Sequence, residues 1–394
     1  MRTTIRRGAA AAVTAALAVF GLSTGAQATP AEAAVLAVPG AEVVPDSYVV
    51  VLKSGKAPRT VAGRHEAAVL HSYTKVFNGF ATSMTARKAR QLAADPDVAF
   101  VQPNVIHRIS DTQANPPSYG LDRIDQRNRP LNAAYTYNTT ASNVHAYIVD
   151  TGIRTSHQDF GGRAASGYDA VDGGTADDCN GHGTHVAGTV GGTAYGVAKG
   201  VQLVAVRVLD CEGSGTTAQV AAGIDWVTAN AVRPAVANMS LGGSADTALD
   251  NAVRASIASG VSYAIAAGNG FLGLFALDAC TQSPARVPTA ITVSATNNTD
   301  AKPSWANRGT CVDVFAPGIN ITSTWSTNDT ATNTISGTSM AAPHVAGGAA
   351  LYLANHPEDT PAQVHAAIVS NATTGVVTSP GSGSPNRLLH TANF

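Results

Sequence analysis

Four near-continuous apolar runs constrain the fold of this chain more than any other feature. They are "NVHAYIVD" (143–150), "VQLVAVRVL" (201–209), "AVANMSL" (235–241) and "VSYAIAAG" (261–268). A strand with one wet face alternates polar and apolar residues; a strand covered on both faces does not. "TTAQVAAGIDWVTAN" (216–230) and "ADTALDNAVRASIASG" (245–260) have helical patterning and lie between these runs. Buried strands alternating with helices predict an α/β fold, a doubly wound, mostly parallel sheet with helices on both faces. In such a sheet the ligand site lies at the carboxyl ends of the strands. Composition agrees: 44% of the 394 residues are hydrophobic and 13% charged, which suits a large core and not a disordered chain. The net charge of −1 supplies no attraction for nucleic acid or an anionic membrane.

Upstream, the chain divides by composition. Arg2, Arg6 and Arg7 precede an apolar stretch (9–22) too short to span a bilayer, and Ala26-Gln27-Ala28 follows as a small-residue cleavage site. Residues 1–28 therefore read as a signal peptide, which implies secretion and no membrane association after its removal. Length argues against the alternative, a membrane anchor. Residues 29–45 are Ala/Pro-rich and expected to be disordered. In 46–109, "DSYVVVLK" and "DVAFVQPN" read as strands and "ARKARQLAA" as a helix. "HSYTKVFNGFATSMT" reads as two strands turned at Asn78-Gly79. This is a small α+β module without a catalytic group of its own. "SDTQANPPS" is a polar, Pro-containing break, so 110–117 is a linker and 118–394 the large domain.

Export exposes cysteines to oxidising conditions, and Cys179, Cys211, Cys280 and Cys311 suffice for two disulfides with three possible connectivities. Pairing of neighbours would close loops of about 30 residues, each stabilising by roughly 3–4 kcal/mol. A metal site built on Cys179 and His182 is the alternative, without a C-x-x-C pair to support it.

Three segments carry candidate chemistry. In "VDTGI" (149–153), Asp150 ends a buried strand, where it can orient a base or simply cap a turn. In "NGHGTHVAG" (180–188) a small-residue helix opens, with Asn180 as its cap. Its two histidines are three apart with no Glu between them, unlike a zinc-binding H-E-x-x-H helix. His182 at the helix mouth can face an aspartate, and His185 packs inward with a hydrogen bond. In "SGTSMAAPHVAGGAALYLA" (336–354), Pro343 is tolerable only in the first helical turn, so the helix starts at or near Ser339. The amide there points out at the positive end of the helix, where it can serve an oxyanion while the hydroxyl attacks.

Asp150, His182 and Ser339 occur in the chain order of the subtilisin triad. With "VDTGI", "GHGTHVAG" and "GTSMAAPHVAG" in that order, the chain resembles the subtilisin family of serine proteases, in its proteinase K and aqualysin-like branch, from Asp46 onward. The resemblance implies that His182 is the general base, Asp150 its orienting partner and Ser339 the nucleophile that forms an acyl-enzyme. "AAGNG" (266–270) resembles the oxyanion segment, with Asn269 as donor. "GSG" (Gly213, Ser214, Gly215) and "SLGG" (Ser240, Leu241, Gly242) resemble the two edges that clamp an extended peptide. Ala266, Ala267 and Gly268 line the same cleft, implying broad specificity with apolar or aromatic side chains favoured at the S1 pocket.

The 46–109 module resembles the ferredoxin-like inhibitory propeptide of the family, an intramolecular inhibitor removed near Ala114 or Asn115. Disulfides Cys179–Cys211 and Cys280–Cys311 are implied, as is a monomer acting on protein and peptide substrates. Structural Ca2+ is implied at Asp313 with the Pro288 and Ala290 carbonyls, and at Asp122, Asp125, Gln126 and Asn132. Asn132 stands where the family often has Ser. Three rivals remain: an esterase in which Asp359 and His365 or His390 serve Ser339, an inactive binding protein on the same scaffold, and an acid-acting relative with a Glu base.

Overall fold

The computed structural model describes residues 31–38, 43–106 and 111–394, which form two compact units. The signal-peptide reading of 1–28 lies outside the described residues. Among those described, no helix is long and apolar enough to cross a membrane.

The first unit runs β1 (Val43–Leu52), α1 (Pro58–Arg64), β2 (His71–Tyr73), β3 (Gly79–Ser83), α2 (Ala86–Ala93) and β4 (Val98–Val105). Its antiparallel sheet has the order β2-β3-β1-β4, which with two crossing helices is the ferredoxin-like arrangement. Val50, Phe80, Leu92 and Val101 fill its core. The hairpin differs from the two-residue turn expected at Asn78-Gly79. Gly79 pairs with both Tyr73 and Val51, so it is already a strand residue, and residues 74–78 make the connection. Residues 31–38 are not a free linker. Ala33 N–H donates to Arg90 O, Leu36 N–H donates to Val101 O, and Glu32 pairs with Arg90 at 2.7 Å.

The second unit opens with β5 (Asp111–Ala114), α3 (Tyr119–Ile124), β6 (Ala134–Tyr137), β7 (His145–Asp150), β8 (Ala164–Asp169), α4 (His182–Gly191) and β9 (Gln202–Arg207). It continues through α5 (Thr217–Asn230), β10 (Ala235–Met239), β11 (Gly243–Ser244), α6 (Thr247–Ala258), β12 (Ser262–Ala266) and β13 (Gln282–Ser283). The remainder is β14 (Ile291–Thr296), β15 (Val314–Pro317), β16 (Ile321–Thr324), β17 (Thr332–Ile335), α7 (Thr338–Asn355), α8 (Pro361–Asn371), β18 (Thr373–Thr374) and β19 (Arg387–Leu388).

Nine of these strands make one sheet in the order β18-β19-β15-β14-β12-β10-β7-β9-β8, parallel except at the β18–β19 pair. The four apolar runs are its β7, β9, β10 and β12. One face is covered by α5 and α6 through Val220, Ile224, Val253 and Ile257. The other is covered by α4, α7 and α8 through Val186, Val190, Val345 and Ile368. The helices between the strands start where their caps place them. Thr216 and Gln219 form a capping box on α5, and the Asp246 side chain accepts the Ala248 and Leu249 amides in the first turn of α6.

Candidate active site

Three strands of the parallel sheet end at one cleft. Asp150 closes β7, Ser240 follows β10, and Ala267 to Asn269 follow β12. Asp150 is fully buried. Its Oδ1 accepts from His182 Nδ1 at 2.7 Å and from the Thr151 amide at 2.8 Å. The histidine sits at the first position of α4 with a quarter of its side chain exposed. A Cβ on Gly183 would lie 2.2 Å from Gly152 O, so this helix can begin against the end of β7 only with Gly at 183.

The start of α4 is held by residues from outside it. Asn180 Oδ1 accepts from His182 N, Thr151 Oγ1 accepts from Gly183 N, and Asp178 Oδ2 accepts from Thr184 N. Asp178 also takes the Thr184 hydroxyl, the Thr151 hydroxyl, and the amides of Asn180 and Gly181. The expected Asn180 cap is thus one of three. Burial opposes the charged imidazole of His182, but the Asp150 charge and hydrogen bond, with the Asp178 charge behind them, outweigh it and hold its pKa above the ordinary value. His185 takes the inward place expected of it. It is fully buried against the Ile321 carbonyl at 3.0 Å, and burial lowers its pKa to about 4.

Ser339 is the second residue of α7, within the first turn, whose amides have no acceptor in the helix itself. The helix starts at Thr338, beside the expected Ser339, but this puts Pro343 in its second turn and not in its first. Having no N–H, Pro343 leaves the Ser339 carbonyl without its helical donor. The Ser240 hydroxyl supplies one at 2.7 Å. In return, the Ser339 hydroxyl donates to the Ser240 carbonyl at 3.2 Å, and not to His182. Asn269 is oriented by its neighbour across the cleft. Its Oδ1 accepts from both the amide and the hydroxyl of Thr338 at 2.9 Å, which leaves its NH2 as the outward donor.

His182, Ser339 and Asn269 line one cleft of about 790 Å³. Gly213, Ser214, Gly215, Ser240, Leu241, Gly242, Ala266, Ala267 and Gly268 line it as well. The arrangement joins an acid-backed imidazole, a hydroxyl at a helix start and a fixed amide donor, which is the equipment of acyl transfer. The residues that an esterase would need are elsewhere: Asp359 accepts from Tyr352 Oη, and His365 faces Asp313 at 3.3 Å. Cys179 is bonded to Cys211 and Cys280 to Cys311, so Cys179 is not a metal ligand. Sequence reasoning misses Asp178, Thr151 and Thr338. Each lies inside or beside a quoted motif; Thr151 and Thr338 act on partners far along the chain, while Asp178 gathers donors from Asn180, Gly181 and Thr184 that no cap rule assigns to it.

Of the candidate calcium ligands, Asp122 accepts the amides of Asn132 and Ala133, and Asp125 Oδ2 accepts that of Thr136. Gln126 Nε2 donates to the Pro130 carbonyl, and Asn132 Oδ1 accepts from Ala134 N. Asp125 Oδ1 is buried with no hydrogen-bond partner among the described residues. Burial, and then the Asp122 charge, push the Asp125 carboxyl up to about 6. Asp313 has no such orphan: Thr292 N donates to its Oδ2 while His365 stands against its Oδ1.

Comparison with known proteins adds ancestry to this geometry. The subtilase family pattern matches residues 142–388, and that of peptidase inhibitor I9 matches residues 45–110. An extracellular serine proteinase of Thermus sp. is 50% identical over 391 residues, covering 92% of this chain and 94% of that protein. A cuticle-degrading serine protease of Arthrobotrys oligospora is 38% identical over 405 residues, covering 95% and 97%. Among solved structures, a cold-adapted subtilisin-like serine proteinase aligns with a TM-score of 0.67 at 54% identity, covering 69% of this chain and 97% of that chain.

Proposed function

The chain belongs to the subtilase family of serine peptidases, with an I9 inhibitor domain before the peptidase domain, and on that premise we propose that it is a secreted, self-processing endopeptidase of broad specificity. The observation that carries this reading is the convergence of His182, Ser339 and Asn269 on one cleft, with His182 Nδ1 on the buried Asp150 at 2.7 Å. Asp150 fixes the tautomer that donates from Nδ1 and leaves Nε2 free as base. The Ser339 hydroxyl turns from the Ser240 carbonyl, gives its proton to His182 Nε2 and attacks the peptide carbonyl. The oxyanion takes the Ser339 amide and the Asn269 NH2. His182, now an imidazolium stabilised by Asp150, passes the proton to the leaving amine. Water then hydrolyses the acyl-enzyme with His182 again as base.

The edges at Gly213–Gly215 and Ser240–Gly242 bind substrate as an added strand through the backbone, which tolerates many sequences. Ala266 and Ala267 favour apolar or aromatic groups beside the scissile bond. Residues 46–109 act as inhibitor and folding aid until they are cut away. We place the processed bond before Asp111, upstream of the Ala114 or Asn115 that the family resemblance implies. In support, β5 pairs with β6 along its length, and Lys199 Nζ donates to Gln113 Oε1 at 2.7 Å. The extracellular setting of the Thermus relative, by its name, supports the same location here. A monomer is the working state. Of the two calcium sites, the one at Asp122, Asp125, Gln126 and Asn132 fits a cation, because Asp125 offers a buried, unpartnered oxygen. Calcium there would tie α3 to the segment before β6, a structural role outside the reaction.

The test is to express the chain beside its Ser339→Ala variant and take intact masses. The expected result is a wild-type fragment beginning before Asp111 and a variant that keeps residues 46–109. Identical processing of both, together with no hydrolysis of a peptide p-nitroanilide by the wild type, refutes the reading.

A further inference from the structure

The cleft rim carries an apolar feature that the hydrolytic machinery does not use. Among the described residues of the second unit, five large hydrophobic side chains are exposed, and four of them fall within residues 271–275: Phe271, Leu272, Leu274 and Phe275, at 59–78% exposure. Exposed apolar residues scattered singly need no explanation, whereas a contiguous group marks a contact surface.

The segment is a tight hairpin. Phe271 N–H donates to Phe275 O at 2.8 Å and Leu274 N–H donates to Phe271 O at 3.0 Å. Leu272 and Gly273 at the tip have φ of 52° and 69°. Such a turn favours Asn, Asp or Gly at both positions. Leu272 is strained there and is 78% exposed, so no packing within the fold offsets the strain. The neck is firm. Asn307 Nδ2 donates to Ala267 O on one side, and Asn307 Oδ1 accepts from Leu277 N on the other, both at 2.7 Å. A Cβ on Gly270 would lie 2.2 Å from Phe275 O.

Position indicates the occupant. Gly270 and Asn307 both line the catalytic cleft. Phe271 is two residues beyond Asn269, so their Cα atoms are at most ~7.6 Å apart. The hairpin itself lies just outside the cleft lining, so a polypeptide that places its carbonyl at Asn269 would come within a side chain's reach of it. We propose that the Phe271–Phe275 hairpin is a specificity platform that binds apolar side chains of an extended polypeptide substrate next to the scissile bond. It rests on the endopeptidase reading above and adds side-chain selection to backbone clamping.

The test compares wild type with the quadruple variant Phe271→Ser, Leu272→Asn, Leu274→Ser and Phe275→Ser, and with Leu272→Asn alone, whose Asn suits the turn. The substrates are two eight-residue fluorescence-quenched peptides with the same residues around the cut and either Leu and Phe or Ser at the flanking positions. Wild type is expected to favour the apolar-flanked peptide by about ten-fold, mostly in KM. The quadruple variant should lose this preference, Leu272→Asn should lose part of it, and the Ser-flanked peptide should be cut at the wild-type rate throughout. An equal preference in wild type and variants overturns the proposal. So does a wild type with no flank preference whose hairpin instead mediates a dimer or binding to phosphatidylcholine vesicles. Failure of wild type to cut either peptide would overturn the endopeptidase reading and this inference with it, a result distinct from cutting both without preference.

Discussion

Consider the substitution Asp178→Asn, which removes one charge and keeps the shape. Asp178 is nearly buried and accepts five hydrogen bonds, three at Oδ1 and two at Oδ2. An asparagine has one acceptor oxygen. If that oxygen keeps the Thr151, Asn180 and Gly181 donors, its NH2 faces Thr184. The Thr184 hydroxyl can rotate to accept, but the Thr184 amide is left against another donor. One buried, unsatisfied N–H costs roughly 1–3 kcal/mol. The retained bonds also weaken, since a charged acceptor is about twice as strong as a neutral one. The expected loss is about 2–4 kcal/mol, read by urea unfolding in the Ser339→Ala background, where self-digestion is absent.

The second readout concerns His182. The Asp178 charge, behind that of Asp150, helps hold its pKa above the ordinary value, so removing it lowers that pKa. His182 must be neutral to act as base. The acid limb of kcat/KM, which reports the free enzyme, therefore moves to lower pH in Asp178→Asn. Unchanged stability, or an acid limb that stays in place or moves to higher pH, refutes the reasoning. A purely structural role would lower the plateau without moving the limb in this direction.

Thr338→Val keeps the shape but removes the hydroxyl that holds Asn269 Oδ1 and accepts from Gly268 N; kcat should fall roughly ten-fold with KM little changed, and Thr338→Ser should restore it. Asp125 has a folded pKa of about 6, above its unfolded value, so metal-free stability should decline as pH rises from about 4 through about 6. Calcium binds the ionised carboxylate, so the melting temperature with calcium minus that with EDTA should widen over the same interval and collapse in Asp125→Asn. Asp300→Ala strands the fully buried Arg123, which now makes two contacts with Asp300 at 2.7 and 3.2 Å; denaturant unfolding should show a loss of about 3–5 kcal/mol.

The sequence by itself determines the layered α/β plan. Hydrophobic periodicity is local, and the runs that become β7, β9, β10 and β12 show both-sided burial within a few residues. It also determines the chemical vocabulary, because Asp150, His182 and Ser339 lie at a strand end and two helix starts marked by glycine and small residues. The tertiary structure decides the rest. Whether Asn269 presents its NH2 or its oxygen to the cleft depends on Thr338, 69 positions away. Where the Ser339 carbonyl finds its donor depends on Ser240, 99 positions away. Of the three side chains that hold the first-turn amides of α4, Asn180 and Asp178 are local, but Thr151 reaches Gly183 from 32 positions away. Thr373–Thr374 and Arg387–Leu388 become β18 and β19 because the edge of β15 offers unpaired backbone to β19, and β19 in turn to β18. Side-chain orientation and edge pairing are set by contacts between distant segments. Such contacts exist only once the chain has collapsed, and no local pattern in the sequence encodes them.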